Sequence, residues 1–172
     1  MIEYGSIKFV EGEMVVEGEI GLSEQLENVS KAVIIIHREF FDESPSPMKL
    51  QKLCYYAQGY SLATGKELFP DDFQAWQHGP VVPELYQQYK HFQWRQITDE
   101  IELPNETFLG FLRDIVSAYG RYDGAALSTM THREQPWLET RGNLDELEGS
   151  TEVIPKDRLR AYFESKLKVY GS

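Results

Sequence analysis

The stretch from Ser46 to Lys90, SPMKLQKLCYYAQGYSLATGKELFPDDFQAWQHGPVVPELYQQYK, constrains the fold of this chain more than any other. Ser46 can cap a helix with its hydroxyl, and Pro47 suits the first helical position, where a missing N–H costs nothing. Leu50, Leu53, Cys54, Ala57 and Tyr60 then recur at three- and four-residue spacing and predict one apolar helical face. Tyr55 and Tyr56 broaden that face, while Lys49, Lys52 and Gln58 are expected to point away from it. Gly65 offers the left-handed stop, so the helix should end near Thr64. Phe73–Gln77 alternates apolar and polar residues as a short, half-buried strand does, and His78-Gly79-Pro80 should break it. Pro83 opens a further helix, with Leu85, Tyr86, Tyr89 and Phe92 on one side.

This ordered pattern resembles the Panacea domain, the SocA-like antitoxin-domain family of bacteria and their phages. On the first helix the resemblance rests on Leu50, Lys52, Leu53, Tyr56 and Gly59, and beyond it on Trp76 and the tripeptide His78-Gly79-Pro80. The later run LSTMTHREQPW, with Thr131, His132, Pro136 and Trp137, is similar to the family's second landmark. The likeness runs from about Val29 to Phe163 and leaves the N-terminal leader outside it. It implies an antitoxin that neutralises a cognate protein toxin by direct contact. A variant known among SocA-like members is an adaptor that delivers the toxin to a protease.

The rest of the chain reads as helices around a core. Ser6–Phe9 and Glu13–Glu19 alternate like two short strands joined across Glu11-Gly12, which makes residues 1–21 a hairpin leader to a helical domain over 22–172. Leu22, Leu26, Val29, Val33, Ile36 and Phe40 predict a helix from about Ser23 to Phe41. Asn105 is placed to cap a helix carrying Phe108, Leu109, Leu112, Ile115, Val116 and Tyr119, and Asp123 to cap a short one before Thr131. Pro136 begins another helical turn; Arg141–Ser150, rich in Gly, Asn, Asp and Glu, reads as a surface loop. Leu159, Phe163, Leu167 and Tyr170 line a final helix. The expected class is therefore mainly α with a small antiparallel β element: one compact domain of six or seven helices.

Composition limits the function. A formal charge of −11 opposes broad nucleic-acid binding, which needs lysine and arginine to displace counterions. No apolar run reaches the length that spans a bilayer, and Met1-Ile2-Glu3 lacks a basic signal-peptide start, so the expected location is the cytoplasm. The single cysteine, Cys54, belongs to the apolar helical face and reads as a small core residue.

Chemistry is sought first at the four histidines, His37, His78, His91 and His132. Their spacing matches no zinc helix, one cysteine cannot build a Cys/His cluster, and no phosphate loop, dinucleotide fingerprint or nucleophile elbow is present. No cofactor or metal is expected. His78 and His132, each in a motif beside proline and tryptophan, are read as donors to backbone at element ends; a hydrolase or transferase using both in one cleft is the alternative from another class. Trp76 and Trp137 are expected to anchor the core. Candidate contacts with a toxin are Ile7, Phe9, Tyr55, Tyr56, Tyr86 and Trp94, because aromatic side chains anchor interfaces.

Overall fold

The computed structural model describes residues 21–170, the last three by backbone alone, and the backbone of Ile7–Val10 and Glu13–Val16. These two short segments, β1 and β2, pair antiparallel with Ile7 opposite Val16. The remainder of the expected leader hairpin, its turn included, lies outside the described residues.

Helix α1 spans Glu24–Phe41, close to the expected bounds, and Ser23 caps it, its hydroxyl accepting from Leu26 N. That cap is itself anchored, since Ser23 N and Oγ both donate to the Asp71 carboxylate. Helix α2, Pro47–Ala63, starts on the Ser46 cap with proline in its first turn and stops at Thr64 before Gly65, whose φ is +93°. It is the axis of the molecule. Helices α3 (Pro83–Tyr89), α4 (Leu109–Tyr119), α5 (Gly124–Thr131) and α7 (Lys156–Tyr170) pack on α2 together with α1 and strand β4 (Gly79–Val81). A helix wrapped on so many sides has little solvent face to fill, and fourteen of the 17 residues in α2 are buried.

That burial corrects the expected amphipathicity of α2. Lys49, Lys52 and Gln58 do not point to solvent; all three are buried. Each meets backbone that would otherwise be unsatisfied. Lys49 Nζ donates to the carbonyl of Gly120. Gln58 donates to Phe69 O at 2.7 Å and accepts from Leu68 N at 2.9 Å. Gln51 does the same for Val82, donating to its carbonyl at 3.0 Å and accepting from its N–H at 2.9 Å. The polar residues of α2 therefore hold its surrounding loops, while Leu50, Leu53, Cys54 and Ala57 fill the core. Gly59 lets α7 approach: a Cβ there would stand 2.2 Å from the Phe163 ring.

Strand β3, Gln74–Trp76, pairs antiparallel with β4, and Trp76 faces Gly79 in register. His78-Gly79-Pro80 thus turns the chain into a second strand instead of ending the sheet, and Pro80 lies inside that strand opposite Ala75. A proline is tolerated in a short edge strand because no ladder N–H is required of it. On the other side of β3, Ala75 N donates to Glu152 O at 2.9 Å and Ile154 N to Phe73 O at 2.8 Å. The segment after the acidic loop thereby closes the open edge.

Helix α4 begins at Leu109 behind Phe108, so the expected Asn105 cap is not used. Asp123 does cap α5, accepting from Ala126 N at 2.8 Å. Helix α6, Gln135–Arg141, has Pro136 in its first turn. Among the described residues there are seven helices, and the fold is mainly α with a small antiparallel β element, as the sequence patterns imply. No described helix is long and apolar enough to cross a membrane.

Candidate functional site

Several of the residues that carry the family resemblance, Lys52, Thr131, His132 and Trp137 among them, meet the β3–β4 hairpin. Five of its carbonyls accept hydrogen bonds from side chains on α2, α5 and α6 and from His132, which follows α5. Arg141 Nη1 donates to Ala75 O at 3.1 Å and Trp137 Nε1 to Trp76 O at 2.7 Å. His132 Nε2 lies 2.7 Å from Gln77 O and Ser128 Oγ donates to His78 O. Lys52 Nζ reaches Pro80 O at 3.1 Å. A three-residue strand pair makes few ladder bonds, so these side chains supply the partners that a larger sheet would provide.

Gly79 is where the two landmarks meet. Its φ of +115° suits glycine, and a Cβ would lie 2.7 Å from Lys52 Cε and 2.8 Å from Thr131 Oγ1. Lysine from the first motif, glycine from the tripeptide and threonine from the second landmark fill one space. Around them, His132 packs edge-on against Trp137 with ring centroids 4.2 Å apart, and the Arg141 guanidinium lies 4.7 Å from the Trp137 ring. Arg141 also donates to the carbonyls of Asp145 and Glu148. It is buried at the start of the segment expected to be a surface loop, and it fastens that loop to the hairpin.

The electrostatics follow from burial. Lys52 is 1% exposed, and loss of hydration lowers its ammonium to about 7. Glu134, also buried, accepts from Tyr55 OH at 3.0 Å and Tyr56 OH at 2.9 Å. Desolvation raises its carboxyl, and the two tyrosine hydroxyls act against that rise. Burial and the neighbouring Glu134 push both tyrosine hydroxyls well up. Burial likewise raises the Cys54 thiol, in keeping with a small core residue. His37 is buried too. Its Nδ1 lies 2.6 Å from Glu43 O while Nε2 has no partner among the described residues, and desolvation lowers its imidazolium.

The expected contact residues separate cleanly. Tyr55 and Tyr56 are fully buried and bound to Glu134, so they cannot meet a partner in this fold. Tyr86 is 39% exposed and Trp94 82% exposed, and both are available at the surface. The side chains of Ile7 and Phe9 lie outside the described residues. Trp137 is a core anchor, whereas Trp76 is only half-buried and forms the wall of a surface hollow.

That hollow is the feature periodicity could not reveal. It has a volume of about 330 Å³ and lies between the first turns of α2, the hairpin and α3. Trp76 and Tyr86 form one wall edge to face, with ring centroids 5.1 Å apart, and Trp76 Nε1 donates to Gln74 Oε1 at 2.8 Å. Met48, Leu50, Val81 and Leu85 add apolar surface. His78 is on its lining, but His132 faces a different depression beside Gln77, Arg133 and Glu146. The two histidines therefore do not share a cleft, contrary to the enzymatic alternative; His132 is engaged with backbone as expected, whereas the His78 side chain is exposed and it is the His78 carbonyl that is bound, by Ser128. Among the described residues, no group of three or more His, Cys, Asp or Glu side chains could hold a metal ion.

Comparison with known proteins places this geometry. The family model described as "Antitoxin SocA-like, Panacea domain" matches residues 50–138, just over half of the chain. No curated protein and no solved structure matched it. The match begins at Leu50 in α2 and ends at Leu138 in α6, and so encloses the hairpin and most of the side chains that hold it. The chain belongs to the SocA-like antitoxin, Panacea-domain family.

Proposed function

We propose that this protein is an antitoxin that neutralises a cognate protein toxin by direct contact. Family membership supplies the class of function. The observation that favours contact over chemistry is the use of the motif side chains: Lys52, Ser128, His132 and Trp137 all bind hairpin carbonyls, as Arg141 does beyond them. Of the two histidines an acid–base pair would need, His132 is engaged with the hairpin backbone, while His78 is exposed on a different depression from it. What the same hairpin offers outward is an apolar hollow edged by half-exposed aromatics, the kind of feature in which interface anchors seat.

Binding would cover the toxin's active site or hold the toxin in an inactive conformation. The leader, residues 1–21, lies outside the family match and is a candidate determinant of toxin choice. The test is co-expression with the protein encoded beside it. Growth arrested by the neighbour alone and restored by the pair supports the reading; unchanged arrest in the presence of folded protein refutes it. A toxin level that stays constant while growth resumes points to blockade rather than delivery to a protease. Deleting residues 2–21 should abolish rescue while melting remains cooperative, and full rescue by that variant removes the leader from the account.

A further inference from the structure

The hollow beside the hairpin is apolar, but its charged lining is of one sign. The chain carries a net charge of −11, with 28 acidic residues against 17 basic. Yet among the described residues the lining holds Lys52, Lys90 and His78, and no carboxylate. Lys52 forms part of the floor, while Lys90 and His78 are exposed. The walls are fixed in advance: Trp76 is held by Gln74 and by contact with Tyr86, and the Gln51 amide is committed to Val82. A preformed concave site with apolar walls and a few polar groups at its edge fits a bulky side chain in one orientation.

Charge decides which one. An ammonium occupant would meet the Lys90 ammonium at the rim with no lining carboxylate to offset it, whereas a carboxylate beside an apolar group would face Lys90. We infer that this hollow takes a bulky apolar side chain flanked by an acidic residue, presented by a segment of the cognate toxin. This rests on the antitoxin reading above. It makes the hollow a local exception on an acidic molecule: overall charge opposes approach of an acidic segment at long range, so selectivity arises at contact, and moderate salt should not abolish binding.

Two small probes test the chemistry on the full chain. Indole-3-acetate and tryptamine present the same ring with opposite charge. Followed by amide NMR, indole-3-acetate should shift Val81, Tyr86 and Lys90 and bind on the order of tenfold tighter than tryptamine, as one close charge contact allows. Lys90→Glu, on an exposed side chain, should reverse that preference. Equal affinities, or shifts confined to other surfaces, overturn the assignment. Two exposed variants, Lys90→Glu and Tyr86→Ala, then test the occupant in pull-down with the neighbour-encoded protein. Weakened capture by both supports a toxin segment in the hollow. Capture equal to wild type overturns it and leaves the antitoxin reading standing. No capture by wild type refutes the antitoxin reading itself and removes the toxin as occupant. A gain in probe affinity on deleting residues 2–21 would make the chain's own leader the occupant, which also overturns the assignment.

Discussion

Lys52 puts an amine where water does not reach and gives it the Pro80 carbonyl as partner. Its folded value, lowered to about 7, lies below the 10.5 of an unfolded lysine. Between those values the unfolded chain binds the extra proton, so this residue makes stability rise with pH over that window. Below about pH 7 both states are charged and the full penalty applies. The expected outcome is a wild-type-minus-Lys52→Met difference in unfolding free energy that climbs from pH 7 toward 10, by at most about 1.4 kcal/mol per pH unit. Taking the difference removes Lys49, Glu134 and His37, which titrate in both proteins. Denaturant titrations across that range measure it, and a flat difference would mean the amine is hydrated. Gly79 poses the opposite problem, of space. Gly79→Ala combines a positive φ with contacts under 3 Å to Lys52 and Thr131. The backbone strain alone should cost about 1–3 kcal/mol, read as a lower denaturation midpoint.

At the scale of elements, the hairpin is short and its partners are side chains. Trp137→Phe keeps the ring packing but leaves Trp76 O without its donor, a cost of about 1–3 kcal/mol. His132 touches the Trp137 ring and binds the neighbouring carbonyl, so the two should couple. A double-mutant cycle of Trp137→Phe and His132→Ala is expected to show an interaction energy of roughly 0.5–3 kcal/mol. Strict additivity would mean that each carbonyl is held independently. Much of this layer was legible in the chain. Ser46 and Asp123 cap helices as their positions suggest, and Pro47, Pro83 and Pro136 mark helix starts. The misreadings share one cause. Periodicity treats a polar residue as facing water, but Lys49, Lys52, Gln58 and Arg141 face backbone from segments distant in sequence. Tyr55 and Tyr56 were misplaced for the related reason that Glu134, the acceptor for their hydroxyls, sits 79 and 78 residues away.

For the molecule as a whole, α2 organises the fold and borders the hollow. Its buried polar groups hold the loops and the hairpin, and its first turns form one side of the hollow. Three of the landmark residues meet in one place: Lys52 and Thr131 crowd Gly79 so closely that a Cβ there would clash with both. The hollow was not legible, since it depends on how three elements separated in sequence are placed. Trp94, in contrast, was rightly expected at the surface, in the turn that follows α3. Direct binding is the central claim, and titrating the purified chain into the purified neighbour-encoded protein tests it most directly. The account predicts a saturable complex that survives gel filtration and is weakened by Lys90→Glu and Tyr86→Ala. Restoration of growth in cells without any complex between the purified proteins would contradict it.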